Sequence, residues 1–516
     1  MKKKYFPVIP WVWAWRCLVL AFPWSNAFMS IAAIFLGLTS ISQEKLKEGS
    51  RPNPAHRAME HAGWALILLV SLSLVSVIWG ENGTTALHDV RVKLPLVLGG
   101  GIMIGMARQA IGFSSREVQS VLRLAVFSAA LATASMVVLD VLDGVPNGGR
   151  SSSRFISHIR FGLWWALLLP WVAHYLGGKW NAVCLIGALI TWSWTQSLTG
   201  LAMGVFLSPW WLPALRLRLL GHSAATLSWP SAGALYRRSL WMLSLPLLAA
   251  LLLFWSLPTA LPDETALPER SKGGEPYMHK LDRSVTEYGH LVWTCVAWGE
   301  LRASWRERST VPMERIEGAL LRFLTSKALP KDAEGIAALS DGEVEAIGSG
   351  VSSVVELNGG PWAKRWNRFK FNWGQWWDGR RSPNASILAR GVYAQMAIEA
   401  WKGLPWHQKV LGAGSGSVKQ QMGFAFDRSY PEWPIEGRKR PHNQYLTFLL
   451  SLGVLGLGLL LWTFWSAWTY PQARPGVLLL AISCLTEDTL ETQAGVTLAV
   501  MALVFGVLIA LRGEDH

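Results

Sequence analysis

Apolar runs of about membrane-spanning length alternate with short polar connections along most of this chain, until one long polar region breaks the pattern. From the Met1 end, apolar character continues to about Ile41 and is interrupted near Pro23–Asn26. A secretory signal core is only about 7–15 residues long, so this stretch reads as a hairpin of two short spans. Further runs lie near 63–79, 94–108, 121–140, 161–176, 181–196, 198–214 and 239–257. After a polar stretch of roughly 185 residues, three more follow near 445–468, 476–490 and 493–511. A spanning helix needs about 17–25 residues. The pattern therefore predicts about twelve transmembrane helices, with 94–108 and 476–490 the weakest of the runs.

The expected fold is all-α, a polytopic membrane protein in three parts. Residues 1–257 form an N-terminal membrane region of about nine helices. Residues 258–442 form a helical domain between the ninth and tenth spans, and 443–516 form a C-terminal region of about three helices. In the polar part, Leu320, Leu321 and Leu324 recur at helical spacing after Pro312. Ser340-Asp341-Gly342-Glu343 reads as a capping box opening another short helix. Trp362, Trp366, Trp373, Trp376 and Trp377 lie in a basic stretch. Strand-like alternation is scarce, and no fixed repeat is visible.

Composition agrees with the runs. Charged residues are only 16% of the 516, against roughly 25% in soluble chains. Mean hydropathy is +0.26. This excludes a disordered chain, a fibrous chain and an ordinary soluble enzyme. The 31 tryptophans fit a bilayer interface, and in a sugar-handling protein also pyranose faces. Of the four cysteines, Cys17, Cys184 and Cys484 sit in apolar runs and only Cys295 in the polar region. No intradomain disulfide and no zinc spacing follow from that.

The net charge of +14 has a membrane explanation that needs no nucleic acid. Lys45, Lys47, Arg51 and Arg57 share one connection. Arg108, Arg116 and Arg123 flank another, and Arg216, Arg218, Arg237 and Arg238 cluster at a third. With the Met1 end inside, all three fall on the cytoplasmic side, as the positive-inside rule requires. The expected location is a bacterial inner membrane with both termini cytoplasmic. Region 258–442 and the Leu485–Gln493 connection then face the periplasm. ATP and nucleotide sugars are absent there, so any transfer must start from a pre-activated, lipid-linked substrate.

Several residues on that face can carry chemistry. His442 stands where the polar domain meets a new apolar helix, behind Pro441 and before Asn443, a good helix cap. It is either an interfacial anchor or a general base. Arg390 opens a helical stretch, and Arg154, His158 and Arg160 precede an apolar run. Arginine forks match phosphate oxygens, although each alone is ordinarily a solvated residue. Glu487, Asp488 and Glu491 crowd a short hairpin, either as a hydrated turn or to orient His442 or an arginine. Gly412, Gly414 and Gly416 look like a nucleotide loop, but on this face they read better as a tight turn.

These residues resemble a family. His442-Asn443-Gln444-Tyr445-Leu446 followed by Leu452-Gly453-Val454-Leu455-Gly456 is similar to the hallmark of the O-antigen ligase and polymerase superfamily. Arg390 with Leu411-Gly412-Ala413-Gly414-Ser415-Gly416 resembles the segment preceding it. Leu324–Gly335 and Glu487–Gly495 resemble a branch common in Bacteroidota-type bacteria. The resemblance covers most of the chain and is strongest from about 280 to 500. It implies about twelve helices, a large periplasmic loop, and metal-independent glycan transfer from undecaprenyl diphosphate with no cofactor. His442 matches the base, and Arg390 matches a diphosphate-binding arginine. Asn443 and Tyr445 of the same motif join the expected substrate-binding set. The sequence departs at Leu198, where relatives carry an arginine within a Ser-Arg-Thr-Gly-like stretch, and at Ser417, where an acidic residue is common. Arg160 or Lys93 lies on the right side to replace the missing arginine.

The expected function is transfer of a polyprenyl-diphosphate-linked glycan to a sugar hydroxyl, on a lipid core or on another glycan. The expected partners are those lipids and the membrane. Alternatives are protein O-glycosylation, a lipid-linked glycan transporter, and an inactive relative suggested by Leu198. Transporters gather polar groups at the midplane of broken helices, whereas here they gather at one face.

Overall fold

The computed structural model describes residues 11–44, 56–109, 113–144, 148–220, 229–230, 234, 267–283, 285–382 and 388–510. The expected span at 239–257 and the basic residues Lys45, Lys47, Arg51, Arg237 and Arg238 lie outside them. The chain divides into two compact units, one of residues 1–246 and 393–516, the other of 247–392.

The first unit is a helical bundle. Its N-terminal part holds α1 (Trp11–Ala21), α2 (Asn26–Glu44), α3 (Arg57–Val75), α4 (Gly83–Gln109), α5 (Ser115–Leu142), α6 (His158–Tyr175), α7 (Gly178–Trp194), α8 (Leu198–Phe206) and α9 (Ser208–Leu219). Among the described residues, five helices are long and apolar enough to cross a membrane: Arg57–Ile78, Gly83–Arg108, Ser115–Leu142, Gln444–Trp468 and Gln493–Ala510. A sixth is added if α8 and α9, bent by 68°, form one broken span. Trp11–Ala21, Asn26–Thr39 and Arg474–Thr486 are apolar but shorter. The apolar run 94–108 belongs to a longer helix that starts at Gly83, so Asp89 and Lys93 become helical residues on its polar first half.

Close backbone approach ties this unit together. A Cβ on Gly63 of α3 would lie 2.6 Å from the Gly100 carbonyl oxygen of α4, and the reverse distance is also 2.6 Å. Small residues at such a crossing let the helices pack with little side chain between them. Several tryptophans depart from the interfacial expectation. Trp15, Trp164, Trp165 and Trp171 are fully buried among the helices, where Trp165 Nε1 donates to Thr133 Oγ1 at 3.3 Å. Large flat rings fill the gaps between helices, and Trp165 gives its polar tip a partner inside the bundle.

The second unit carries α10 (Trp298–Arg308), α11 (Met313–Ser326), α12 (Ala333–Ala337), α13 (Asp341–Gly348), α14 (Val354–Asn358), α15 (Pro361–Trp377) and the start of α16 (Ala389–Gly403). Its core gathers Leu301, Trp305, Leu320, Leu321, Leu324, Ile336 and Ile347. Ser340 and Glu343 form the capping box of α13 that the sequence predicts. Among the described residues the only strands are β1 (Thr286–Glu287) and β2 (His290–Leu291), an antiparallel pair. Lys331 is buried and donates to the Leu291 and Thr294 carbonyls at 3.0 and 2.9 Å.

The chain continues in the first unit with the rest of α16, then α17 (Trp406–Leu411), α18 (Val418–Ser429), α19 (Gln444–Trp468), α20 (Arg474–Thr486) and α21 (Gln493–Val500). The last of these runs on through a π turn at Met501–Phe505. Inside α19, Gly453 has φ +67° and ψ −164°, which breaks the helix.

Candidate functional site

The glycine run and the kink at Gly453 build one joint. Beside the break in α19, the Leu450 and Ser451 carbonyls find partners outside the helix. They accept from the Ala413 and Gly414 amides at 2.8 and 3.0 Å. Gly412, Gly414 and Gly416 all have positive φ, a conformation glycine adopts at little steric cost. A Cβ on Gly412 would lie 2.1 Å from the Ser451 oxygen, and one on Gly414 2.7 Å from Gly80 Cα. Ser415 adds hydrogen bonds to Ser76 and Ser73. The run is a packed turn that docks the chain on the α3–α4 connection. Ser417, where the family resemblance implies an acidic residue, is buried and accepts from the Glu81 amide at 3.0 Å.

The segment leading to His442 is held by aromatic residues. The Gly437 carbonyl accepts from Tyr393 Oη at 2.9 Å and from Trp433 Nε1 at 3.0 Å. Trp433 also packs at a tilt of 35° against Phe426, with centroids 5.6 Å apart. The His442 ring lies 5.7 Å from that of Tyr393. His442 itself has φ +50°, an uncommon conformation outside glycine. The next residue, Asn443, then caps α19 by accepting from the Leu446 amide at 3.1 Å, and its Nδ2 donates to the Leu485 carbonyl. The left-handed residue turns the loop so that the helix can start and the imidazole faces the cavity.

That cavity has a volume of about 710 Å³. His442, Arg160, Glu487, Asp488 and Glu491 line it, together with Arg440 and the exposed Lys419 and Lys439. Arg160, on the first turn of α6, is 4% exposed and donates to the Asp488 carbonyl at 3.5 Å. Asp488 accepts from the Thr447 hydroxyl at 2.5 Å. Residues from α6, α19 and the 487–491 connection thus meet at one end of the bundle. Arg390 stands in the first turn of α16 and belongs to the second unit.

Under the cavity lies a charge cluster that sequence reading did not assemble. Glu491 Oε2 accepts from Lys93 Nζ at 2.9 Å and from Arg440 Nη2 at 3.1 Å. Its other oxygen accepts from Gln444 Nε2 at 3.1 Å. Gln444 Oε1 in turn accepts from the Leu490 amide at 2.7 Å. Asp89, one helical turn before Lys93, lies 3.5 Å from Arg440 Nη1. Burial pushes the Glu491 carboxyl up, but Lys93 and Arg440 outweigh it and hold the group below the usual carboxylate range. Arg440 is held above its ordinary value: burial opposes its charge, and Glu491, Asp89 and Asp488 more than compensate. Lys93 therefore acts on Glu491 and does not line the cavity. Tyr445 donates to the Ala481 carbonyl at 2.8 Å and likewise lies away from it.

Residues 329–461 match the family model described as O-antigen ligase. Over that segment the chain resembles the O-antigen ligases. The matched segment contains Arg390, the glycine turn, Arg440 and His442. No curated protein matches the chain. With its apolar helices, the family assigns the ligase domain to a membrane protein of glycan transfer. Arg440 and Asp89 escaped the sequence reading. The basic triplet Arg438-Lys439-Arg440 before the motif, and Asp89 and Lys93 at helical spacing, are the signals that were present.

Leu198, where the family resemblance implies an arginine, begins α8 after Ser197, which caps it. A Cβ on Gly162 would lie 2.6 Å from Ser197 Oγ and 3.2 Å from Gly200 Cα. The start of α8 therefore packs on α6 within one turn of Arg160.

Proposed function

We propose that this protein transfers a glycan from a polyprenyl-diphosphate donor to a sugar hydroxyl at the periplasmic face of the inner membrane. One observation carries the reading: His442 and the buried Arg160 line the same cavity, with the exposed Lys419 and Lys439 among its other cations. An imidazole and a guanidinium in one cavity match the two needs of the reaction, a base for the acceptor and a cation for the leaving group.

The acceptor oxygen attacks the anomeric carbon, and the bond from that carbon to the diphosphate oxygen breaks. The hydroxyl proton passes to a neutral His442 imidazole. The diphosphate leaves with the bonding electron pair, and the charge on it is stabilised by Arg160 and, by family resemblance, Arg390. A single displacement inverts the anomeric configuration. In this reading region 258–442 is periplasmic, both termini are cytoplasmic, and Arg160 takes the place left by Leu198.

The test uses membrane vesicles containing the full chain and a labelled lipid-linked glycan. His442→Ala should cut transfer by about 10²–10⁴-fold while leaving donor binding intact. Full activity in that variant would remove His442 as the base. Deletion of the gene followed by glycolipid analysis separates the acceptors. Single-repeat core species mark a lost polymerase, and retained lipid-linked polymer without capped core marks a lost ligase.

A further inference from the structure

The second unit contains a cavity of its own, about 410 Å³, between α11, the turn before α14, and α15. Its walls include Trp293, Arg322, Glu356, Arg368, Phe371 and Gln375. The size falls within the roughly 300–1,000 Å³ of small-molecule sites. Gly318 also lines it, and a Cβ there would meet nothing within 4 Å.

The charges in the wall are paired. Arg322 Nε lies 3.0 Å from Glu287 Oε2, and Arg368 Nε lies 3.2 Å from Glu356 Oε1. The other Glu356 oxygen accepts from the Ser352 amide and hydroxyl at 3.0 and 2.7 Å. The cavity therefore presents fixed donors and acceptors without a large net charge. One donor is left over. Arg322 is 8% exposed, and its Nη2, although 3.0 Å from the same Glu287 oxygen, has no hydrogen bond of good geometry. A buried donor in this state calls for an explanation. Planar amides on Asn372 and Gln375, both half-buried, add further donors and acceptors to the lining. Trp293 and Phe371 supply aromatic surface, each already carrying a guanidinium, from Arg283 at 4.3 Å and Arg322 at 3.6 Å.

We propose that this cavity binds an uncharged sugar residue. A pyranose has apolar C–H faces that suit aromatic rings, and hydroxyls that both donate and accept. An anionic ligand would call for a cation that is not already neutralised, and a lipid chain would not use the polar wall. The role of the site, holding the growing or accepting glycan, rests on the transferase reading. The binding itself does not.

Saturation-transfer NMR on the purified full chain in detergent tests it, with glucose, N-acetylglucosamine, rhamnose and glucuronic acid as probes. At least one neutral sugar should receive saturation, and Asn372→Ala/Gln375→Ala should weaken its binding by about tenfold. Gln375→Ala alone serves if the double variant does not fold. Equal binding in the cavity variants, or none by any probe, overturns the proposal. Binding of glucuronic acid alone overturns the neutral-ligand assignment. Sugar binding in a chain without transfer activity would count against the transferase reading and leave this site standing.

Discussion

Glu491 holds Arg440, two residues before His442, through a 3.1 Å ion pair in which the carboxylate is almost completely buried. The same oxygen holds Lys93 of α4 at 2.9 Å. The loop carrying the candidate base is thus tied to a helix that lies far away in sequence.

Removing that carboxylate should be costly. Glu491→Gln leaves Lys93 buried without its counter-charge, and breaking a buried pair from one side costs about 3–5 kcal/mol. The expected result is a lower unfolding temperature together with loss of transfer. Lys93→Met in the Glu491→Gln background should recover part of the stability. A double-mutant cycle by thermal unfolding in detergent measures this, and strictly additive effects would mean the pair is not coupled.

Arg160 should matter for the donor more than for the acceptor. Arg160→Ala should raise the KM for lipid-linked glycan by at least about tenfold, because a charge-assisted fork to phosphate is lost. Arg160→Lys should recover only part of it, since an ammonium cannot bind two oxygens in one plane. Leu198→Arg in the Arg160→Ala background should also recover part, because α8 begins beside Gly162. Donor titrations in vesicles decide between these outcomes.

Lys331 gives the second unit a pH dependence. Burial pushes its ammonium down from 10.5 to about 8. Between those values the unfolded chain holds a proton that the folded chain has released. Stability therefore rises with pH across that window, by at most on the order of 3 kcal/mol. Below about pH 8 the cost of the buried charge is fully present. Thermal unfolding of the full chain at increasing pH should show this rise, and Lys331→Met should flatten it.

Gly453→Ala should disrupt the joint at the kink. The left-handed backbone alone costs about 1–3 kcal/mol with a side chain. The new Cβ would also lie 2.2 Å from the Val410 oxygen and 2.6 Å from the Gly412 nitrogen. Membrane yield and unfolding temperature should both fall. An unchanged unfolding temperature would show that α19 can straighten at no cost.

Sequence alone was enough for the helical class, the membrane setting and the resemblance to O-antigen ligases. Each of these is written locally: apolar length and helical spacing depend on neighbouring residues, and His442-Asn443-Gln444-Tyr445-Leu446 is one uninterrupted string. The cap at Asn443 and the capping box at Ser340 and Glu343 were legible for the same reason. Only the tertiary structure decided that Lys93 serves Glu491, 398 positions away, and that Arg440 joins them. Only it showed that the Ala413 and Gly414 amides of the glycine turn bond the Leu450 and Ser451 carbonyls beside the break at Gly453. Ion pairs and backbone docking between distant segments leave no periodic mark on the chain. They exist because buried charges and buried carbonyls must find partners wherever the packed helices bring them.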